Sequence, residues 1–127
     1  MFLENTDLEL FLEKIASYDG HDFDKFILFF SNEQINTCLI QHLSRIIDGE
    51  KIDFLSLRSI EVNKAHRHQQ IFKRIIQAME KTRLPIFVDD IVNEIVDDFL
   101  DNRGYVSLVY KKQESDYCFR NARYRLY

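Results

Sequence analysis

Apolar residues recur at helical spacing over most of the first hundred positions. Leu8, Phe11, Leu12 and Ile15 follow a Thr6–Glu9 capping-box pair and run toward Gly20, a natural stop. Ser31 and Gln34 repeat the capping box, and the stripe Ile35, Cys38, Leu39, His42, Leu43, Ile46 then leads to Gly49. Asp53 is placed to cap a shorter helix carrying Phe54, Leu55, Leu57 and Ile60. A further helix is expected over roughly Lys64 to Lys81, with Ile71, Phe72, Ile75, Ile76 and Met79 along one side. The run Phe23 to Phe30 is too short for periodicity to separate helix from buried strand, and it is read as helix.

Pro85 breaks the chain, and Asp89 or Asp90 opens the cleanest amphipathic segment. At about 100° per residue, Ile91, Val92, Ile95, Val96, Phe99 and Leu100 share one half of the wheel. Asp90, Asn93, Glu94, Asp97, Asp98 and Asp101 share the other, and Gly104 sits where a C-terminal cap belongs. After Gly104 the pattern changes. Tyr105 to Tyr110 is rich in β-branched and aromatic residues, Gln113 to Asp116 is a polar turn, and Tyr117 to Tyr127 is aromatic again, which reads as a β-hairpin. The expected fold is therefore mainly α. Four to six helices surround one core, with a C-terminal antiparallel β-hairpin packed on them. All 127 residues form a single domain, helical up to residue 102 and a hairpin over 105–127.

Composition adds that the core is rich in phenylalanine, since the chain has 11 Phe, 6 Tyr and no Trp. At 46% hydrophobic and 30% charged residues it is that of a globular chain, able to bury a core without disulfides or metals. The acidic stretch at Glu4 and Asp7 does not resemble a secretory signal, and Phe26 to Phe30, the longest apolar run, is too short to span a bilayer. Cys38 and Cys118 do not make a disulfide framework. Together these lead to the expectation of a cytoplasmic protein with no membrane partner.

Candidate chemistry changes that picture little. Cys38 and His42, four apart on an expected helix, join His68 and Cys118 as a Cys2His2 candidate for zinc, but the close-spaced ligand pairs of zinc modules are missing. No Gly-rich phosphate loop, GxSxG elbow or HExxH is present, so no enzyme and no cofactor is expected.

Charge is more informative. The net charge is −4, and residues 85–102 carry Asp and Glu with no Lys or Arg. An acidic face formed by Asp90, Glu94, Asp97, Asp98 and Asp101 suits a protein partner with a basic surface. The expected function is a non-catalytic protein-binding module, such as a small acidic inhibitor or immunity-type protein. The alternative is nucleic-acid binding by the hairpin, where Lys111, Lys112, Arg120, Arg123 and Arg125 are interleaved with aromatics such as Tyr124. The terminal strand offers an edge for pairing with a second copy, so a homodimer is a third partner to consider.

Overall fold

The computed structural model covers 127 residues and describes 2–4, 6–21, 23, 25–89, 94–107 and 122–126. The fold is mainly β, a correction to the helical expectation. Its elements are β1 (Phe2–Glu4), α1 (Leu8–Ala16), β2 (Ile27–Ser31), β3 (Ile35–Ile47), β4 (Glu50–Val62), a 3-10 helix (Lys64–Gln69), α2 (Ile71–Glu80), β5 (Ile86–Val88), α3 (Glu94–Asn102), β6 (Val106–Ser107) and β7 (Arg123–Arg125). The strands among the described residues form one seven-stranded mixed sheet in the order β1-β2-β3-β4-β5-β7-β6.

The long hairpin β3–β4 is the centre of the sheet, and its turn explains why two expected helices are strands. Asp48 and Gly49 both have positive φ, at 51° and 81°. That pairing suits a two-residue hairpin turn whose twist matches that of the strands. Ile47 pairs with Glu50 across it, and the antiparallel register runs to Ile35 opposite Val62. The helical spacing of Ile35, Cys38, Leu39, His42, Leu43 and Ile46 was misleading because a central strand buries both faces. Cys38, Ile40 and His42 are buried on one side of β3, Arg45 and Ile47 on the other. Two buried faces erase the apolar–polar alternation that marks a half-exposed strand.

The second capping box is likewise not a helix start. Asn32 accepts hydrogen bonds through its side chain from the amides of Gln34 (2.8 Å) and Ile35 (2.9 Å), turning the chain from β2 into β3. Asp53 caps nothing; it accepts a 2.7 Å hydrogen bond from Ser44 on the neighbouring strand. Phe23–Phe30 resolves in favour of strand over its second half, as β2.

Two helices stand where expected. α1 is N-capped at Asp7 rather than Thr6, without a side-chain cap. The long helix from Lys64 is split by Gln70, whose φ of 56° ends the 3-10 turn and starts α2 afresh. α3 ends as expected at Gly104, with φ 83°. Of the expected C-terminal hairpin, β6 pairs antiparallel with β7, and the turn expected at Gln113–Asp116 lies outside the described residues. It is not an appendage, because β7 also pairs with β5 and so is interior to the sheet; β6 is the edge.

The two faces of the sheet differ. Leu28, Phe30, Ile40, Leu55, Leu57, Ile86 and Val88 share one core with Phe11 and Ile15 of α1, Ile71, Ile75, Ile76 and Met79 of α2, and Leu100 of α3. Phe11 and Phe30 stack there at 4.0 Å and 8°. The intervening strand residues face the other way, since strand side chains alternate. They form a second cluster of Ile47, Phe54, Phe87 and Ala122, with Ile52 and Tyr124 against it. No described helix packs on this second face.

Candidate functional site

The acidic helix presents less than its sequence suggests. Phe99 and Leu100 of α3 pack inward, and Asp98 and Asp101 are exposed. Asp101 is not a free charge, because Arg123 donates to it at 2.8 Å. Glu94 and Asp97 belong to α3, but their side chains, like all of Asp90, lie outside the described residues.

The basic hairpin is similarly committed inward. Arg123 is buried and donates also to the Tyr105 carbonyl at 3.2 Å. Arg125 donates to Glu80 at 2.9 Å, and the same carboxylate accepts from Arg103 and from the Tyr105 hydroxyl. Glu80 thus ties the end of α2 to α3 and β7. Tyr124 packs edge-on against Phe54. Lys111, Lys112 and Arg120 lie outside the described residues.

Of the metal candidates, Cys38 and His42 do share a face, but of strand β3 and not of a helix. Cys38 is fully buried, and burial pushes its thiol pKa well up, so it is held neutral. His42 Nδ1 is hydrogen-bonded to the Tyr18 hydroxyl at 2.6 Å, with Phe23 edge-on to its ring. The side chain of His68 and all of Cys118 lie outside the described residues. Among the described residues no three His, Cys, Asp or Glu side chains converge on a metal position.

A groove of about 940 Å³ runs between α1 and α2. It is lined by Glu9 and Glu13 of α1, Arg74 and Glu80 of α2 and Lys81 just past its end, and Arg74 is ion-paired to Glu9. Such pairing across the groove accounts for much of its polarity as a feature of the helix packing.

The arrangement that sequence reading missed lies at the carboxyl ends of β4 and β5. These strands are parallel and pair only over Leu55–Ile86, Ser56–Phe87 and Leu57–Val88, with a last hydrogen bond from the Asp89 amide to the Leu57 carbonyl at 3.1 Å. β4 then continues to Val62, pairing with β3 but with no described partner on its β5 side. The register against β3 shifts between Leu39 and Ile40, which leaves Arg58 as the extra residue of a bulge. Bulges bend a strand and re-aim its side chains, and they are common beside binding sites.

Beyond the parting strands, β4 leads through the 3-10 turn into α2. The N-cap residue Gln70 makes no side-chain cap to α2, and the first turn of α2 holds no acidic residue. A helix start without a side-chain cap has backbone amides that water or a ligand can satisfy. In the turn before it, His66 has a buried Nδ1 without a hydrogen-bond partner among the described residues. On the helix-free face, Arg45 lies with its guanidinium 4.6 Å from the Phe87 ring and donates to Asp89 at 2.9 Å. Arg58 reaches the same carboxylate at 3.0 Å. Nothing in the hydrophobic pattern announces this group. The only trace is that Arg45 and Arg58 interrupt strongly apolar runs.

No family model, curated protein or solved structure matches this chain. No helix among the described residues is long and apolar enough to cross a membrane.

Proposed function

We propose that this protein binds a phosphate-bearing small molecule in the cleft where β4 and β5 part, with the phosphate at the N-terminus of α2. The observation that carries this is the junction itself: two parallel strands separating after Leu57 and Val88, with one of them leading into an uncapped helix start. Ligands of open sheets with parallel strands lie outside the carboxyl ends of those strands. A helix N-terminus adds free amide donors and the positive end of a macrodipole, both suited to an anion. The first turn holds no acidic residue and carries Lys73, which agrees in sign, while Arg74 is paired to Glu9. The proposal assigns a ligand class and no reaction.

The test is calorimetric titration of the full chain with inorganic pyrophosphate, alongside Gln70→Asp. Gln70 is exposed and left-handed, a conformation that Asp tolerates better than Gln. A carboxylate there favours the helix dipole, so the variant stays folded while it competes with the ligand. Saturable binding that is lost in Gln70→Asp supports the proposal. Absent binding, or binding indifferent to Gln70→Asp, refutes it.

A second reading is supported by the exposed Asp98 and Asp101 on α3: a surface for a basic protein partner. It predicts that Glu94→Lys with Asp98→Lys abolishes capture of such a partner and leaves pyrophosphate binding intact.

A further inference from the structure

The groove between α1 and α2 holds charges that the helix packing does not use. Small and apolar side chains line it, with Leu12 and Ala16 of α1 one turn apart and Ala78 on α2. Arg74 is matched there by Glu9, and Arg103 by Glu80. Lys81 and Arg83 line the same groove and are exposed. Neither side chain makes a hydrogen bond or ion pair with the described residues. Lys81 has a local reason for its place, since a cation suits the C-terminus of a helix. Arg83 has none. Its φ is 59°, in the turn after α2 where a left-handed residue is usually glycine. That conformation costs any residue with a Cβ. The Arg83 amide closes the turn on the Glu80 carbonyl at 3.1 Å, which almost any residue could do. What arginine adds is its guanidinium in the groove wall.

We infer that this groove docks an acidic peptide segment of a partner protein, with carboxylates on Lys81 and Arg83 and apolar side chains on Leu12, Ala16 and Ala78. At about 940 Å³ the groove has the volume of a small-molecule pocket. It is open, however, because Glu13, Gln77, Lys81 and Arg83 in its lining are all exposed. Small-molecule sites enclose most of their ligand, whereas a peptide laid along a groove keeps one side in water. Charge complementarity narrows the occupant further. Lys81 and Arg83 call for carboxylates, and Glu13 in the same lining repels a continuous polyanion such as a nucleic-acid backbone. The site lies toward the C-terminal end of α2, away from the helix start proposed for phosphate, and does not rest on that proposal.

Fluorescence anisotropy of the full chain with labelled ten-residue peptides, the length of α2, tests this. One peptide is built from Glu, Leu and Ala, a second has Gln in place of Glu, and a third has Lys in place of Glu. Only the Glu peptide should bind saturably, and its affinity should fall as salt rises. Arg83→Gly is the decisive variant. Glycine suits a φ of 59°, so the melting temperature should hold or rise while the affinity falls about fivefold, the effect of one exposed ion pair. Lys81→Gln should weaken the same peptide by a similar factor and leave the fold intact. Arg83→Gly that is folded and binds the Glu peptide unchanged would overturn the inference, as would binding of all three peptides alike or of none. Displacement of the peptide by pyrophosphate or oligothymidine as readily as by unlabelled peptide would mark a general anion patch and overturn it too. Pyrophosphate binding should be untouched by Arg83→Gly, and peptide binding by Gln70→Asp, so failure of one site is distinguishable from failure of the other.

Discussion

Replacing Asp89 by Ala should be among the most damaging single changes on the helix-free face. Its carboxylate accepts from Arg45 at 2.9 Å and is ion-paired with Arg58 at 3.0 Å, and the side chains of Asp89 and Arg45 are only 12% and 8% exposed. Arg58 reaches solvent and can rehydrate when its partner goes. Arg45, laid over the Phe87 ring, cannot do so without leaving the sheet. Removing one member of a buried ion pair typically costs about 3–5 kcal/mol, because a buried charge is left without compensation. The Arg45–Phe87 contact returns at most ~2 kcal/mol of that. A net loss of roughly 3 kcal/mol is therefore expected, against a total stability of about 5–15 kcal/mol for a domain.

Urea unfolding measures this directly. With a slope of about 1–3 kcal/mol/M, the midpoint should fall by roughly 1–3 M at unchanged slope. The double variant Arg45→Met with Asp89→Leu tests the reason, since replacing both charges by apolar groups is often neutral or stabilising. If Asp89→Ala costs less than about 1 kcal/mol, or if the double variant is as damaged as the single one, the ion pair is not what holds this face.

Other outcomes follow from the same structure. Glu80→Ala leaves Arg103, Arg125 and Tyr105 without their common acceptor and should destabilise by about 2–3 kcal/mol, read by chemical denaturation, with Glu80→Gln intermediate. Phe11→Ala removes the ring stacked on Phe30 and should cost roughly 3–5 kcal/mol in the same assay. Gly49→Ala meets no atom within 4 Å, so its cost comes from φ 81° alone, about 1–2 kcal/mol; a larger loss would mean that the turn is not as described. The Cys38 thiol, raised by burial, should react with a thiol reagent only as fast as the protein unfolds. Because its folded pKa is raised, the linked stability is present below the unfolded pKa and declines as pH rises above about 8.5, where the unfolded state loses its proton first. A Cys38→Ser variant should show a flatter decline in that range.

The chain's local signals did determine some of this protein. The positions of α1, of the helix now split as α2, and of α3 with its glycine stop were legible because each carries an apolar stripe on one side only. The pairing of the chain's end as a β-hairpin was legible from its β-branched and aromatic content. The Asp48–Gly49 pair is also a local sign, the strongest in the sequence that Ile35–Ile47 and Glu50–Val62 are paired strands, and it outweighs their helical spacing. Other features had no local signature. A strand buried on both faces carries apolar residues without alternation, so spacing alone could not tell β3 and β4 from helices. Only the sheet order decided that β7 is interior and that Arg123 and Arg125 serve Asp101 and Glu80 inside the fold. Only the tertiary structure brought Arg45 and Arg58 to the one carboxylate of Asp89, 44 and 31 positions away in the chain. Hydrophobic patterning specifies which side of a segment is buried. It cannot specify what the polar remainder will meet, because that depends on which segments become neighbours.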